Sequence, residues 1–318
     1  MHLDKNLLQL SGDASFRKFF RIKNKKRAIL VFSEKEKKNN LLIYDAINKV
    51  LIKNKIKAPK LKYQNYKKNY IEIEDLGDKS AFDILTKSKK KIILYFKIIS
   101  ILSKLQKIKN KKILTFKKKN YLIPNYTKKM LYEESKLFID WYIPTVVKKK
   151  NKIINSKIKK IIKTLINNLK IKTKVFVHRD FHVSNMMIYK NNIFLIDSQD
   201  AVYGNVAYDL ASLIDDVRIK TTLKDKEKIF SKFIEINKKI NIEKFKNDFE
   251  ILSVLRNLKI IGIFSRLSIR DKKNKYLKFI PYAWKLIEHR TKNNSNFYNL
   301  NLVLNKYFSH KIRAKYEN

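Results

Sequence analysis

The chain has 318 residues, no cysteine, 44% hydrophobic and 12% aromatic residues, and a formal net charge of +46 at pH 7. The lack of cysteine excludes a disulfide framework, a thiolate nucleophile and a cysteine-based zinc site. The apolar content argues against a disordered chain, and no apolar run is long enough to span a bilayer.

The length suffices for a sizeable core, in one large domain or two lobes. The opening residues, MHLDKNLLQL, hold no continuous apolar segment and no small-residue cleavage site. A secretory leader is therefore not expected, and the cytoplasm is the expected compartment. A positive charge of this size attracts polyanions and anionic membranes whatever the protein's task. Only ten of the 74 basic residues are Arg, however, and Lys, Ile and Asn recur in every segment. That spread indicates compositional bias more than a dedicated groove, so no specific nucleic-acid partner and no membrane insertion are expected. A nucleotide or an acidic sugar still gains from the field.

Residues 1 to about 75 read as β-rich. Ser11-Gly12-Asp13-Ala14-Ser15 is a small-residue turn, followed by a partly alternating strand from Phe16 to Ile22 and an apolar strand from Ala28 to Phe32. Asn39 to Ile52 has helical spacing, with Leu42, Ile43, Ala46, Ile47, Val50 and Leu51 on one face. Pro59 breaks the chain before Leu61 to Tyr63; Tyr70 to Glu74 alternates as a strand, and Asp75 to Asp78 is a turn. From Ser80 the pattern is mostly helical: Ile92–Leu105, Tyr132–Val147 interrupted near Pro144, and Ile153–Leu169. Short strands and loops follow. Helices then return at Asp209–Val217, Lys226–Lys238, Phe245–Leu267, Tyr276–Arg290 and Leu300–Phe308. The Lys runs at 89–91, 117–119 and 148–150 read as solvated surface. With no repeat and no Gly/Ser linker, the expected class is α+β and bilobal, with a β-rich N-terminal lobe (1–76) and a larger helical C-terminal lobe (77–318).

The chemistry concentrates in Val175 to Leu213. His178, Asp180 and Asn185 form H-x-D-x-x-x-x-N, and Asp197 ends the apolar run IFLID. Phosphoryl transfer needs aligned reactants, cations on the phosphates and a carboxylate near the attacking hydroxyl. Asp180 suits the carboxylate role. Asn185 and Asp197 offer neutral and charged oxygens, which suit Mg²⁺. His178 reads as a structural residue of the loop, and His182 as a substrate contact or a loop-packing residue. No further His or Cys is near enough in sequence to complete a zinc set. There is no G-x-G-x-x-G or Walker motif. Ser11, Asp13, Ala14 and Ser15 are the best phosphate cradle, with an ordinary hairpin turn as the alternative. The strand AILVF carries no Lys, so Arg17 or Arg21 from the neighbouring strand is left to meet the phosphates.

These pieces resemble the aminoglycoside phosphotransferase and choline kinase superfamily, and more narrowly the bacterial anomeric sugar kinases acting on N-acetylmuramate and N-acetylglucosamine. The resemblance rests on GDASFRKFFR (12–21), IEDLGD (73–78), EESKLFIDWY (133–142), VHRDFHVSNMM (177–187), IDSQDAVYGNVAYDLASL (196–213) and LKIIGIFSRLSIRDKKNKYL (258–277). It implies a protein-kinase-like fold and Asp180 as base. It also implies Asn185 and Asp197 as Mg²⁺ ligands, ATP bound through the backbone from Glu74 to Leu76, and a part in salvaging cell-wall sugars. Glu134, Trp141, Asp200, Arg266 and Arg270 lie in the matching pieces as candidates for the sugar pocket. Trp141 serves equally as core, and Arg266 and Arg270 as surface ion pairs. Ser198 departs from the family, where an aromatic residue is usual between the metal aspartate and the glutamine. A small-molecule amino-sugar substrate and a monomer are expected. Choline, homoserine or an aminoglycoside as acceptor, and a non-catalytic anion-binding module, are the alternatives.

Overall fold

The computed structural model of the protein describes residues 7–10, 17–23, 28–34, 40–88, 91–147 and 152–317. It separates into two compact units, Met1–Pro124 with His178–Val202, and Asn125–Val177 with Tyr203–Asn318.

In the first unit, β1 (Leu7–Leu10), β2 (Arg17–Ile22), β3 (Ala28–Ser33), β4 (Leu61–Asn65) and β5 (Tyr70–Glu74) form an antiparallel sheet in the order β1-β2-β3-β5-β4. Helix α1 (Asn40–Lys53) interrupts the strands where the apolar spacing predicts it. The register sets Phe19 opposite Val31, and Val31 opposite Ile71. These residues and Ile73 form one face, and Leu41 and Tyr44 of α1 close the core on it. Because side chains alternate along a strand, Arg17 and Arg21 share that face with Phe19.

After the turn at Asp75–Gly77 come α2 (Ala81–Lys87) and α3 (Lys91–Leu105). Ser80 caps α2 in a capping box with Asp83. A hairpin follows, β6 (Lys112–Leu114) and β7 (Asn120–Leu122), with the exposed Lys117–Lys119 run between its strands. The compact units divide the chain differently from the expected boundary after residue 76. Residues 77–124 and 178–202 fall in the same unit as the sheet; the Ile188 amide donates to the Lys79 carbonyl (2.7 Å) and the Leu195 amide to the Lys57 carbonyl (2.9 Å).

The second unit is mainly helical: α4 (Lys128–Leu137), α5 (Ile143–Val146) and α6 (Lys152–Asn167), then the short strand β8 (Lys174–Val177). Strands β9 (Met186–Tyr189) and β10 (Asn192–Leu195) belong to the first unit, and β11 (Val202–Asn205) leads back to the second. Then come α7 (Tyr208–Ile214), α8 (Leu223–Ile236), α9 (Ile242–Asp271), α10 (Ile280–Thr291), α11 (Tyr298–Tyr307) and α12 (His310–Arg313). Several ends differ from expectation. Helix α7 stops at Ile214 because Lys226 Nζ takes the Ile214 carbonyl at 2.6 Å and thereby satisfies one of the helix's orphan acceptors. The expected helix Tyr276–Arg290 begins instead as a 3₁₀ segment, Asn274–Phe279, and turns α-helical just before Pro281.

Helix α9 is the axis of this unit. Its Gly262 lies against the backbone where α4 passes into a π-helical turn, Phe138–Tyr142. A Cβ on Gly262 would stand 2.3 Å from the Leu137 carbonyl carbon and 2.5 Å from the Phe138 nitrogen. The π turn directs Phe138 and Tyr142 into an aromatic cluster with Trp284 and Phe308. Trp284 Nε1 donates to the Tyr142 hydroxyl at 3.1 Å. Buried Asp215 is held by Lys226 (2.7 Å) and Arg290 (2.8 Å). Burial alone would raise its pKa, but these two cations outweigh that and hold it well below the usual carboxylate range. Among the described residues no helix is long and apolar enough to cross a membrane.

Gly262→Ala should destabilise the protein by about 2–3 kcal/mol in urea unfolding, because backbone must move to admit the methyl group. An unchanged or raised midpoint would contradict this close approach, since in an open helix the same change adds about 1 kcal/mol of stability.

Candidate active site

The site is built on the β9–β10 hairpin. Lys190 and Asn191, between the strands, both have positive φ, 47° and 58°. A two-residue type I′ turn requires that geometry. With a two-residue turn, Met186 pairs with Leu195. Asn185 and Ile196 are the next pair outward, and the Ile196 amide donates to the Asn185 carbonyl at 3.0 Å. Asn185 therefore ends the loop just where Asp197 leaves the opposite strand. The turn converts a separation in sequence into adjacency in space.

Two residues bend the backbone here. Arg179 (φ 72°) and Asp197 (φ 63°) are both left-handed, a conformation uncommon for non-glycine residues that clusters at functional sites. The loop is tied internally. The His182 amide donates to the Asp180 carbonyl at 3.0 Å, and Asn185 Nδ2 donates to the same carbonyl at 3.1 Å. The Asn185 amide nitrogen is thus committed, which leaves its oxygen as the group to offer a cation. The Asp180 carboxylate is part-exposed and accepts no hydrogen bond from a described residue.

His178 is buried and stacks edge-on with Phe181 at 6.2 Å. Burial lowers its pKa below the usual histidine value, against the pull of the Asp180, Asp197 and Asp200 charges. A neutral, buried imidazole is a brace for the loop, as its sequence position indicates. His182 is buried as well, its Nε2 3.4 Å from Asn185 Nδ2.

Arg17 enters from β2. It is 5% exposed, lies over the rings of Phe19 (5.6 Å) and Tyr44 (5.5 Å), and ion-pairs with the Asp197 carboxylate. Its other arm donates to Gln199 Oε1 at 2.8 Å, and Gln199 Nε2 donates to Asp197 (3.2 Å) and Asp200 (3.1 Å). Arg179 Nη1 reaches the Asp200 carbonyl at 3.3 Å. Arg21 turns to Asp75 (2.6 Å) and Asp78 (2.9 Å), so of the two candidate arginines only Arg17 meets the Asp197 loop. Burial pushes the Tyr44 hydroxyl up to about 12, so it is a neutral wall beside Arg17.

Ser198 is fully buried and donates to Asn48 Oδ1 at 2.7 Å; Asn48 Nδ2 donates in turn to the Pro59 carbonyl at 3.2 Å. Where the resemblance implies an aromatic residue, this chain has a polar tie from the Asp197 loop to α1. Asn48, Gln199 and Tyr44 join the site only through contacts distant in sequence. The available signal for Asn48 was a polar residue inside the apolar stripe of α1.

The remaining candidates divide. Ser11, Asp13, Ala14 and Ser15 lie outside the described residues. Glu74 ends β5 with its amide committed to the Lys60 carbonyl (2.9 Å), while Leu76 is buried. Glu134, Trp141, Arg266 and Arg270 belong to the second unit. There Glu134 accepts from the Tyr126 hydroxyl and pairs with Lys259 at 2.8 Å. The Tyr208 hydroxyl, 3.1 Å away, donates in turn to the Tyr126 oxygen. Trp141 is part-exposed on the π turn. Arg266 is half-buried, and burial, then the Arg270 charge, holds its guanidinium below the usual arginine range. Arg270 is exposed and pairs with Asp271 at 2.7 Å, the surface ion pair that was the alternative reading.

The donor set of Asn185 and Asp197, one amide and one carboxylate oxygen, fits a hard divalent cation that takes its other ligands from water and phosphate. No described cluster of three or more His, Cys, Asp or Glu offers a softer site.

Ser198→Ala should cost about 1–2 kcal/mol in urea unfolding by leaving the buried Asn48 oxygen without its donor. A Ser198→Ala/Asn48→Leu cycle should give a coupling of about 1 kcal/mol. Additive losses would show that the two side chains do not act together.

The chain matches the phosphotransferase enzyme family over residues 6–227. It is 26% identical to an N-acetylmuramate/N-acetylglucosamine kinase of Pseudomonas aeruginosa over 290 residues, covering 89% of this chain and 82% of that one. It is 27% identical to the kinase of the same name from Neisseria meningitidis serogroup B, covering 87% and 83%. Similar solved structures include a choline/ethanolamine kinase family protein from Mesorhizobium loti, with TM-score 0.62, 10% identity, and 94% and 92% of the two chains covered. Another is the ADP-bound aminoglycoside phosphotransferase APH(2'')-Ib, with TM-score 0.59, 15% identity, and 89% and 92% covered. The fold is thus α+β and protein-kinase-like, an N-terminal antiparallel sheet with a helical C-terminal part. With the family match spanning most of its length, the chain belongs to the phosphotransferase enzyme family and is a phosphotransferase.

Proposed function

We propose that this protein is an ATP-dependent kinase that transfers the γ-phosphate to the anomeric hydroxyl of an amino sugar, N-acetylmuramate or N-acetylglucosamine. It would act as a monomer in the cytoplasm, in the recycling of cell-wall sugars. The observation that carries this reading is the hairpin geometry. It brings the Asn185 and Asp197 loops together and leaves the Asp180 carboxylate without a hydrogen bond from a described residue. The names of the relatives supply the acceptor class.

In this reading Asp180 orients the sugar hydroxyl and accepts its proton as the oxygen attacks the γ-phosphate. Asn185 and Asp197 would hold Mg²⁺, which supplies charge neutralisation on the phosphates when bound. Arg17 is the protein's own cation for the phosphates, with Ser11, Asp13, Ala14 and Ser15 as the accompanying turn. The adenine edge would meet the backbone from Glu74 to Leu76, where the Glu74 amide already donates to the Lys60 carbonyl. Glu134, Trp141, His182, Asp200, Arg266 and Arg270 are the proposed sugar contacts. The positive field, from 74 basic against 28 acidic residues, favours an anionic lactyl sugar over a polycationic aminoglycoside.

Incubation with ATP, Mg²⁺ and a panel of N-acetylmuramate, N-acetylglucosamine, choline, homoserine and kanamycin, scored by mass, should give one added phosphate on the two sugars. Inert sugars beside a reactive choline or homoserine would refute the acceptor assignment. Asp180→Ala should cut kcat by roughly 10²- to 10⁴-fold while nucleotide binding, followed by calorimetry, stays within a factor of about two. A variant retaining full turnover would remove Asp180 from the reaction.

A further inference from the structure

We propose that Arg17 is a resident counter-ion of Asp197: it holds the Asp197 carboxylate in the nucleotide-free protein and yields it only when nucleotide and divalent cation arrive together. This rests on the kinase reading above for the role of Asp197, but not on any acceptor. Arg17 is buried against the rings of Phe19 and Tyr44, which fix where its planar head can lie. Within that slot one arm meets Asp197 and the other Gln199. Gln199 Nε2 donates to the same Asp197 oxygen at 3.2 Å. A cation seeking that oxygen therefore meets a guanidinium and an amide donor already on it.

The two positive charges cannot share the carboxylate without repulsion. Metal alone must either displace Arg17, leaving a buried guanidinium short of its anion, or take the other carboxylate oxygen beside that guanidinium, and both are unfavourable. A nucleotide changes the balance, because its phosphates give the planar fork another anion to grip bidentately. Rotation within the slot then frees Asp197 for the metal. Metal and nucleotide affinities become coupled through Arg17, and by linkage each raises the other equally. Strand β3, Ala28–Ser33, carries no basic residue, and Arg21 is occupied by Asp75 and Asp78.

The test is Mn²⁺ binding to the full chain without nucleotide, followed by electron paramagnetic resonance. The wild type should bind weakly. Arg17→Gln should bind Mn²⁺ roughly five- to tenfold more tightly, the scale of removing one part-exposed ion pair, and Gln199→Leu should fall between the two. Asp197→Asn added to Arg17→Gln should abolish the gain. Unchanged or weaker Mn²⁺ binding by a folded Arg17→Gln protein would overturn the proposal. Should that variant not fold, the wild type carries the test through ¹⁵N-arginine NMR, with the Arg17 signal assigned by its loss in Arg17→Lys. The guanidinium signal should stay fixed on adding Mg²⁺ alone and shift on adding Mg²⁺ with a non-hydrolysable ATP analogue. A shift with Mg²⁺ alone would overturn the proposal. An inert sugar panel combined with the expected Mn²⁺ result would refute the acceptor and leave the counter-ion standing.

Discussion

A buried cation set beside one carboxylate organises the first unit. Arg17, Phe19 and Arg21 alternate onto the same face of β2, so two guanidinium groups flank an aromatic ring on the face that packs against α1. A charge there is tolerated only where a partner and hydrogen bonds replace its water. Arg21 finds Asp75 and Asp78 at the end of β5, and Arg17 finds Asp197 and Gln199. Both arginines therefore pin loops to the sheet. The pin at Asp197 fixes the loop that carries the proposed metal carboxylate.

The same logic explains why the chemistry sits on a hairpin. A strand pair closed by a two-residue turn sets which residues face each other, and the pair beyond Met186 and Leu195 is Asn185 with Ile196. Asp180, Asp197 and Asp200 then all act on the buried His178, which stays neutral because burial outweighs them. Three carboxylates near one another repel. Arg17 and Arg179, with Gln199 between their aspartates, offset that repulsion. The amide of Gln199 joins the two acids without adding charge.

Much of this was legible in the sequence because it rests on local periodicity and spacing. The alternation of Tyr70–Glu74 and the apolar face of α1 follow from side-chain period alone. The run IFLID marks β10 and places Asp197 at its end. What escaped depends on contacts distant in sequence. Asn48 reads as one polar interruption in an apolar stripe until Ser198, 150 residues away, is seen to donate to it. The β6–β7 hairpin has no Gly or Asn-Gly signal, since Lys118 itself takes the left-handed position (φ 57°). The EESKLFIDWY and GIFSRLSIRD pieces look unrelated along the chain, yet Gly262 of one abuts Leu137 and Phe138 of the other. Helix ends depart from the sequence pattern where a tertiary donor, such as Lys226 on the Ile214 carbonyl, meets the last turn.

The central claim is that Asn185 and Asp197 hold one divalent cation beside the Asp180 carboxylate. The most direct measurement is a crystal structure of the protein with Mg²⁺ and a non-hydrolysable ATP analogue. The ion should be octahedral, with Asn185 Oδ1 and an Asp197 oxygen about 2.0–2.1 Å away and phosphate oxygens among its other ligands. Mg²⁺ bound through phosphates and water alone, with Asp197 still held by Arg17, would contradict it.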